Sequence, residues 1–215
     1  MSLLAKLKAM ADADKALDEQ LPLIEVVQRI VKLNEGLRSF WSSSHGWAPA
    51  DAAELMGKSR LDRQASLSRS LLHWITADEE LEDGDLILGW TNLGSLIEGT
   101  IKLFLAVYYE DFKADFENVK KTQAWHSKQE KVLEPDGLRL EVLVHYVETA
   151  KLFQGDDLAL FKLVQQRRNA IHAFKDRDIG TPAELHSAMR AYLRFLRDTA
   201  SRLPYPDDLY EPREL

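Results

Sequence analysis

The segment LILGWTNLGSLIEGTIKLFLAVYY, Leu86 to Tyr109, decides the fold class. Leu86, Trp90, Leu93, Ile97, Ile101, Phe104 and Tyr108 recur at steps of three and four, which puts them on one face of a 3.6-residue helix. A strand would scatter the same residues over both faces. The run approaches the length of a membrane span, but Glu98 and Lys102 near its middle argue for a helix buried in a globular core. Gly89, Gly94 and Gly99 each cost a helix about 1 kcal/mol relative to alanine. Close packing against neighbouring helices, or a kink, is the expected return.

Working outward, the helical period persists, and no run of alternating β-branched residues with hairpin turns is evident. Upstream, Leu21–Phe40 carries Ile24, Val27, Ile30 and Leu37 in phase behind Pro22, and the stretch from Ser39 to Pro49 breaks it. Asp51 with Glu54 predicts a capping box for the next helix, and Leu61–Ile75 continues in phase. An acidic run, Asp78–Asp85, separates this part from the central helix. Downstream, Phe112–Gln129 reads as a loop or exposed helix, Leu138–Phe153 and Asp157–Phe174 as helices, and Thr181-Pro182-Ala183-Glu184 as a capped helix start. The class is therefore all-α: a helical bundle over residues 86–215, with residues 1–85 as an N-terminal helical extension packed on it.

Composition narrows the function classes. The chain has 215 residues, 45% hydrophobic and 29% charged, which fits a globular protein. Cysteine is absent, which removes disulfides, thiolate nucleophiles and cysteine-ligated metals at one step. Met1–Ala11 has no apolar core or cleavage site, so no secretory signal and no membrane attachment are expected, and the expected compartment is the cytoplasm. A net charge of −7 argues against a surface built throughout for nucleic acid. Positive charge is nevertheless concentrated between Lys162 and Arg177, where Arg167, Arg168, Lys175 and Arg177 face only Asp176 in sequence.

Several motifs fail on inspection. Gly57-Lys58-Ser59 ends like a phosphate-binding loop, yet the required earlier glycine would fall at Ala52 and no strand precedes it. Glu141, His145 and Glu148 share a helical face but lack matching ligands on other helices, so no metal is expected. No serine sits in a nucleophile elbow. The segment from Gln166 to Phe174, QRRNAIHAF, is different. As a continuous helix it would bury Leu160, Phe161, Val164 and Ile171, with Arg168 and His172 neighbours on one edge, Asn169 nearby and Arg167 on the opposite edge. Such a rim can hold a phosphate and move a proton. It can equally be a boundary histidine among arginines that pack along their stems.

These residues resemble the HEPN superfamily, whose members carry an arginine, four to six residues and a histidine within a helical bundle. Arg167 to His172 fits with four between. An asparagine commonly follows the family arginine; here that pair is Arg168-Asn169, one residue nearer His172 than the pattern, so either arginine is a candidate. Glu98 matches the acidic residue often found on an upstream apolar helix of the family. The resemblance covers about Leu86–Leu203 and implies a metal-independent endoribonuclease without cofactors. It would act on RNA as a homodimer, of the kind that serves as a toxin or defence effector beside an antitoxin partner. The implied roles are His172, Arg167, Arg168 and Asn169 in catalysis, and Lys175, Arg177 and Glu98 at the substrate. Other members are inactive modules that bind a partner protein or a nucleotide.

Overall fold

A computed structural model describes residues 16–75, 81–172, 174–207 and 210–214. Met1–Ala11, residues 78–80 of the acidic run, and Ala173 lie outside them. Among the described residues the chain is all-α apart from one minimal hairpin. Residues 16–20 form a helical turn before α1 (Leu23–Trp41), α2 (Ala50–Lys58), α3 (Leu61–Ser70) and α4 (Asp83–Val107). Two short helices follow, α5 (Tyr109–Ala114) and α6 (Phe116–Lys121), then strands β1 (Trp125–His126) and β2 (Lys131–Val132). The chain ends on α7 (Leu140–Thr149), α8 (Asp156–Arg168) and α9 (Pro182–Ser201). Short 3₁₀ turns cover Leu71–Trp74, Pro135–Gly137 and Asn169–Ile171.

The central segment forms α4, with Trp90, Leu93, Ile97 and Ile101 wholly buried. Each of its three interior glycines marks a close approach by a different neighbour. A Cβ at Gly89 would meet Leu185, at Gly94 the stem of Arg168, and at Gly99 the amide of Gln64. α4 packs on α3, α8 and α9, while α1 packs between α3 and α9. Residues on both sides of position 85 join one continuous core, from Val26 and Trp41 to Leu193 and Leu203. No helix is long and apolar enough to cross a membrane among the described residues.

Local chemistry fixes the start of α9. Thr181 accepts from the Glu184 amide at 3.2 Å, Glu184 accepts from the Thr181 amide at 2.9 Å, and Pro182 occupies the first helical position. The capping box expected at Asp51 does not form. Pro49 is the N-cap of α2, and Asp51 lies within the first turn, where its charge meets the positive end of the helix instead. Phe112–Gln129 is more ordered than its polar sequence suggests, because Phe112, Val119 and Ala124 are buried. Its hairpin, Trp125 opposite Val132, is too short to show any sequence period.

Candidate functional site

α8 carries the arginines, and aromatic packing fixes it. Phe161 is fully buried, with its ring 4.8 Å from Phe195 on α9 and 5.8 Å from Phe153. The helix does not continue to Phe174 as the apolar pattern predicts. It stops at Arg168, turns once through the 3₁₀ step Asn169–Ile171, and leaves helical geometry at His172, with φ −87° and ψ 95°. Ile171, expected in the buried stripe, is 49% exposed, and Phe174 is fully exposed. Helical-wheel geometry therefore does not relate His172 to Arg168.

The two arginines have separate fates. Arg167 is 7% exposed, so it is interior rather than a rim residue. Its Nη1 touches the Asp178 carboxylate, and Nη2 donates to both oxygens of Glu184 at 3.2 Å. That hydrogen bond to Asp178 raises the guanidinium pKa above its ordinary value against the opposing cost of burial. The same contact, with the Gly180 amide donating to the carboxylate at 2.8 Å, holds Asp178 below the usual carboxylate range. Arg167 thus fastens the loop after His172 and the start of α9 to the end of α8. Gly180 supports this closure: at φ +70° it takes a conformation disfavoured for other residues, and a Cβ there would lie 2.8 Å from Arg167 Nε. Trp90 Nε1 donates to the Ile179 carbonyl at 2.8 Å and pulls the same loop onto α4.

Arg168 lies against Gly94 and donates from Nη1 to Glu98 Oε2 at 3.1 Å. The other oxygen of Glu98 accepts from Lys102 at 2.9 Å. Glu98, read from sequence as a substrate-side residue, is a carboxylate shared between two cations. Arg168 keeps part of its guanidinium open, with its side chain 27% exposed. A guanidinium has five N–H donors. The structure therefore separates the two candidates that spacing left open: Arg167 is enclosed, and Arg168 retains donors at the surface.

His172 is exposed on the turn that follows, its amide donating to the Asn169 carbonyl at 3.3 Å and its carbonyl accepting from Lys175 at 3.2 Å. Asn169 is half-buried and opens the 3₁₀ turn; Lys175 is exposed and Arg177 half-buried. The end of α8 and the turn after it thus carry an exposed His172, with exposed Ile171 and Phe174 near it in the chain, while Arg168 at the helix end is tied to Glu98 and through it to Lys102. No group of three or more acidic or histidine side chains among the described residues is placed to hold a metal ion. Glu148, of the dismissed Glu141/His145/Glu148 set, pairs with Lys162 at 2.5 Å. Sequence reasoning missed Asp178, and named Lys102 only as a charge on the central helix, not as a partner of Glu98. The capping box made Glu184 visible, but nothing in it announced a second task as a partner of Arg167. Comparison with family models, with curated proteins and with solved structures returns no match.

Proposed function

We propose that the chain is a HEPN-like, metal-independent endoribonuclease that works as a homodimer on RNA, with His172 as its proton-transfer group and Arg168 as its phosphate ligand. The observation that carries this reading is the exposure of His172, together with Ile171 and Phe174 near it in the chain, on the turn that follows the helix end bearing Arg168. Imidazole both takes and gives protons near neutral pH. The apolar residues beside it offer a contact for a second copy, which would bring two imidazoles to one phosphate. One would take the proton of the ribose 2′-OH as that oxygen attacks phosphorus. The other would protonate the 5′-oxygen as its bond to phosphorus breaks, leaving a 2′,3′-cyclic phosphate and a 5′-hydroxyl. Arg168 would neutralise charge growing on the phosphoryl oxygens. Lys175 and Arg177 would attract the flanking backbone, and Asn169 would shape the turn that carries His172. Arg167 serves as a structural clamp in this scheme. A cytoplasmic toxin or defence effector, held by an antitoxin, is the biological role that suits such chemistry.

The test is cleavage of RNA by purified protein with EDTA present. Wild-type protein should yield cyclic-phosphate ends, and His172→Ala and Arg168→Ala should each lower the rate about a hundredfold or more while folding normally. RNA left intact by the wild type, at the level of His172→Ala, would overturn the proposal. A second reading has its own support: both arginines already hold carboxylates, as they would in a non-catalytic module whose exposed strip binds a partner protein or a nucleotide.

A further inference from the structure

A cavity of about 210 Å³ lies where the turn between α2 and α3 meets α4 and the Pro135–Gly137 turn. Its apolar lining comes from Leu55, Met56, Leu61, Leu103 and Ala106, all nearly inaccessible to solvent. Polar groups gather at its margin: Lys58, Arg60, Lys102 and Asp136, the three cations being paired with Glu54, Asp62 and Glu98. Of these residues only Lys102 is linked to the His172 site, through Glu98, the partner of Arg168. We propose that this cavity binds a small amphipathic carboxylate, its hydrocarbon or aromatic body between the apolar walls and its carboxylate on Lys102.

Size and charge select that class. Apolar cavities of about 150 Å³ take up a benzene ring, so the space here suits one ring or a chain of roughly six to eight carbons. A nucleotide is too large and too polar for the walls. The Lys102 ammonium donates to Glu98 at 2.9 Å and to the Asp136 carbonyl at 2.9 Å. An ammonium has three protons, so one remains for an acceptor outside the chain. The two fixed acceptors also hold the ammonium in place, which reduces the ordering cost when a ligand arrives. Lys58 and Arg60 are occupied by Glu54 and Asp62, which leaves Lys102 as the cation for the ligand's carboxylate. A phosphate monoester would want several free donors, and a cationic head placed at Lys102 would meet its like charge while finding no donor-seeking acceptor there, since Glu98 is already shared between Lys102 and Arg168.

The cavity has a built wall. Gln64 reaches from α3 to donate to the Leu96 carbonyl at 2.8 Å, and it lies so close to α4 that a Cβ at Gly99 would fall 2.2 Å from its Oε1. This bridge fixes the spacing between α3 and α4, which keeps the space from collapsing. Ser59 donates to the Met56 carbonyl at 2.6 Å and pins the turn above it.

Octanoate is the probe, with 1-octanol and octylammonium as comparators of the same chain length, and calorimetry on the full chain is the readout. Octanoate should bind saturably, 1-octanol about tenfold more weakly, and octylammonium not at all. Lys102→Met should lower octanoate affinity about tenfold while leaving 1-octanol unchanged. Ala106→Phe, which fills the space, should abolish binding of both, with circular dichroism checking that it folds. The proposal is overturned if wild-type protein takes up no octanoate at about 10 mM, if octylammonium binds as well as octanoate, or if Lys102→Met binds octanoate undiminished. These readouts concern binding alone and are independent of RNA cleavage.

Discussion

At the scale of single residues, burial separates two adjacent arginines that sequence treats as a pair. Arg167 has an enclosed guanidinium with two carboxylate partners, so its loss removes packed stem, charge and the anchor of the following loop. Arg167→Ala should cost about 2–3 kcal/mol in urea unfolding. Arg168→Ala removes a partly exposed pair, leaves Glu98 its Lys102 partner and should cost less, about 1 kcal/mol. Equal losses for both variants would refute this division. A second residue-scale effect concerns Asp157 in the first turn of α8. Burial, reinforced by nearby Asp198 and opposed by Arg202, pushes its carboxyl up to about 6. A carboxyl with a folded pKa above its unfolded value releases its proton less readily when folded, so its contribution to stability is full below about pH 4 and is lost as pH rises to about 6. The positive end of α8 works against the shift. Asp157→Asn should therefore remove that decline and gain about 1 kcal/mol at pH 7, with little effect at pH 4. Denaturation at both pH values measures it, and an asparagine variant less stable at pH 7 would contradict the assignment.

At the scale of elements, α4 and α8 meet through a glycine that governs an ion pair. A Cβ at Gly94 would lie 2.7 Å from Arg168 Cδ, so alanine there must push the arginine stem aside and draw its guanidinium from Glu98. The helix gains about 1 kcal/mol in propensity, which offsets the displacement of a flexible side chain. Gly94→Ala should thus keep overall stability within about 1 kcal/mol while reducing RNA cleavage as Arg168→Ala does. An unaltered cleavage rate in a folded Gly94→Ala protein would detach the pair from activity. The elements also show why some of the fold was legible. α4 and the start of α9 depend on local rules, apolar period and a capping box, and both stand where those rules put them. The end of α8 depends on contacts far along the chain: Arg167 with Asp178 and Glu184, and Trp90 with Ile179. A reading of QRRNAIHAF alone extends the helix by its apolar period and turns Ile171 inward, because no neighbour within one helical turn signals the stop. Glu98 was visible as a charge on an apolar helix. Lys102 is its neighbour one turn on along the same helix, whereas its partner Arg168 needed the folded pair of helices.

At the scale of the whole molecule, long-range ion pairs close what the core begins. Arg197 on α9 pairs with Asp18 before α1 at 3.0 Å and with Glu214 in the terminal segment at 2.9 Å, and Arg29 on α1 also reaches Glu214 at 3.2 Å. The described chain is thus closed without Phe174, which buries nothing of its interior, and Ile171 leaves half of its surface in solvent. Fully exposed, Phe174 costs free energy in water that a second copy could recover. A symmetric contact through this strip would place each subunit's His172 beside its mate, since a two-fold axis pairs the same patch on both subunits. Phe174→Glu introduces a like-charge pair across that axis yet removes no contact within the subunit. Its unfolding free energy should stay within about 0.5 kcal/mol of wild type, as for other surface substitutions. Sedimentation should show wild-type dimer and variant monomer, and RNA cleavage should fall with dimerisation although His172 and Arg168 are intact. Mixing an inactive His172→Ala chain with wild type then separates the alternatives. If two imidazoles serve one phosphate, heterodimers lose activity and the inactive chain suppresses the mixture beyond simple dilution. Activity that falls only in proportion to wild-type subunits would mean that each site works alone, and a monomeric wild type would remove the need for the exposed strip.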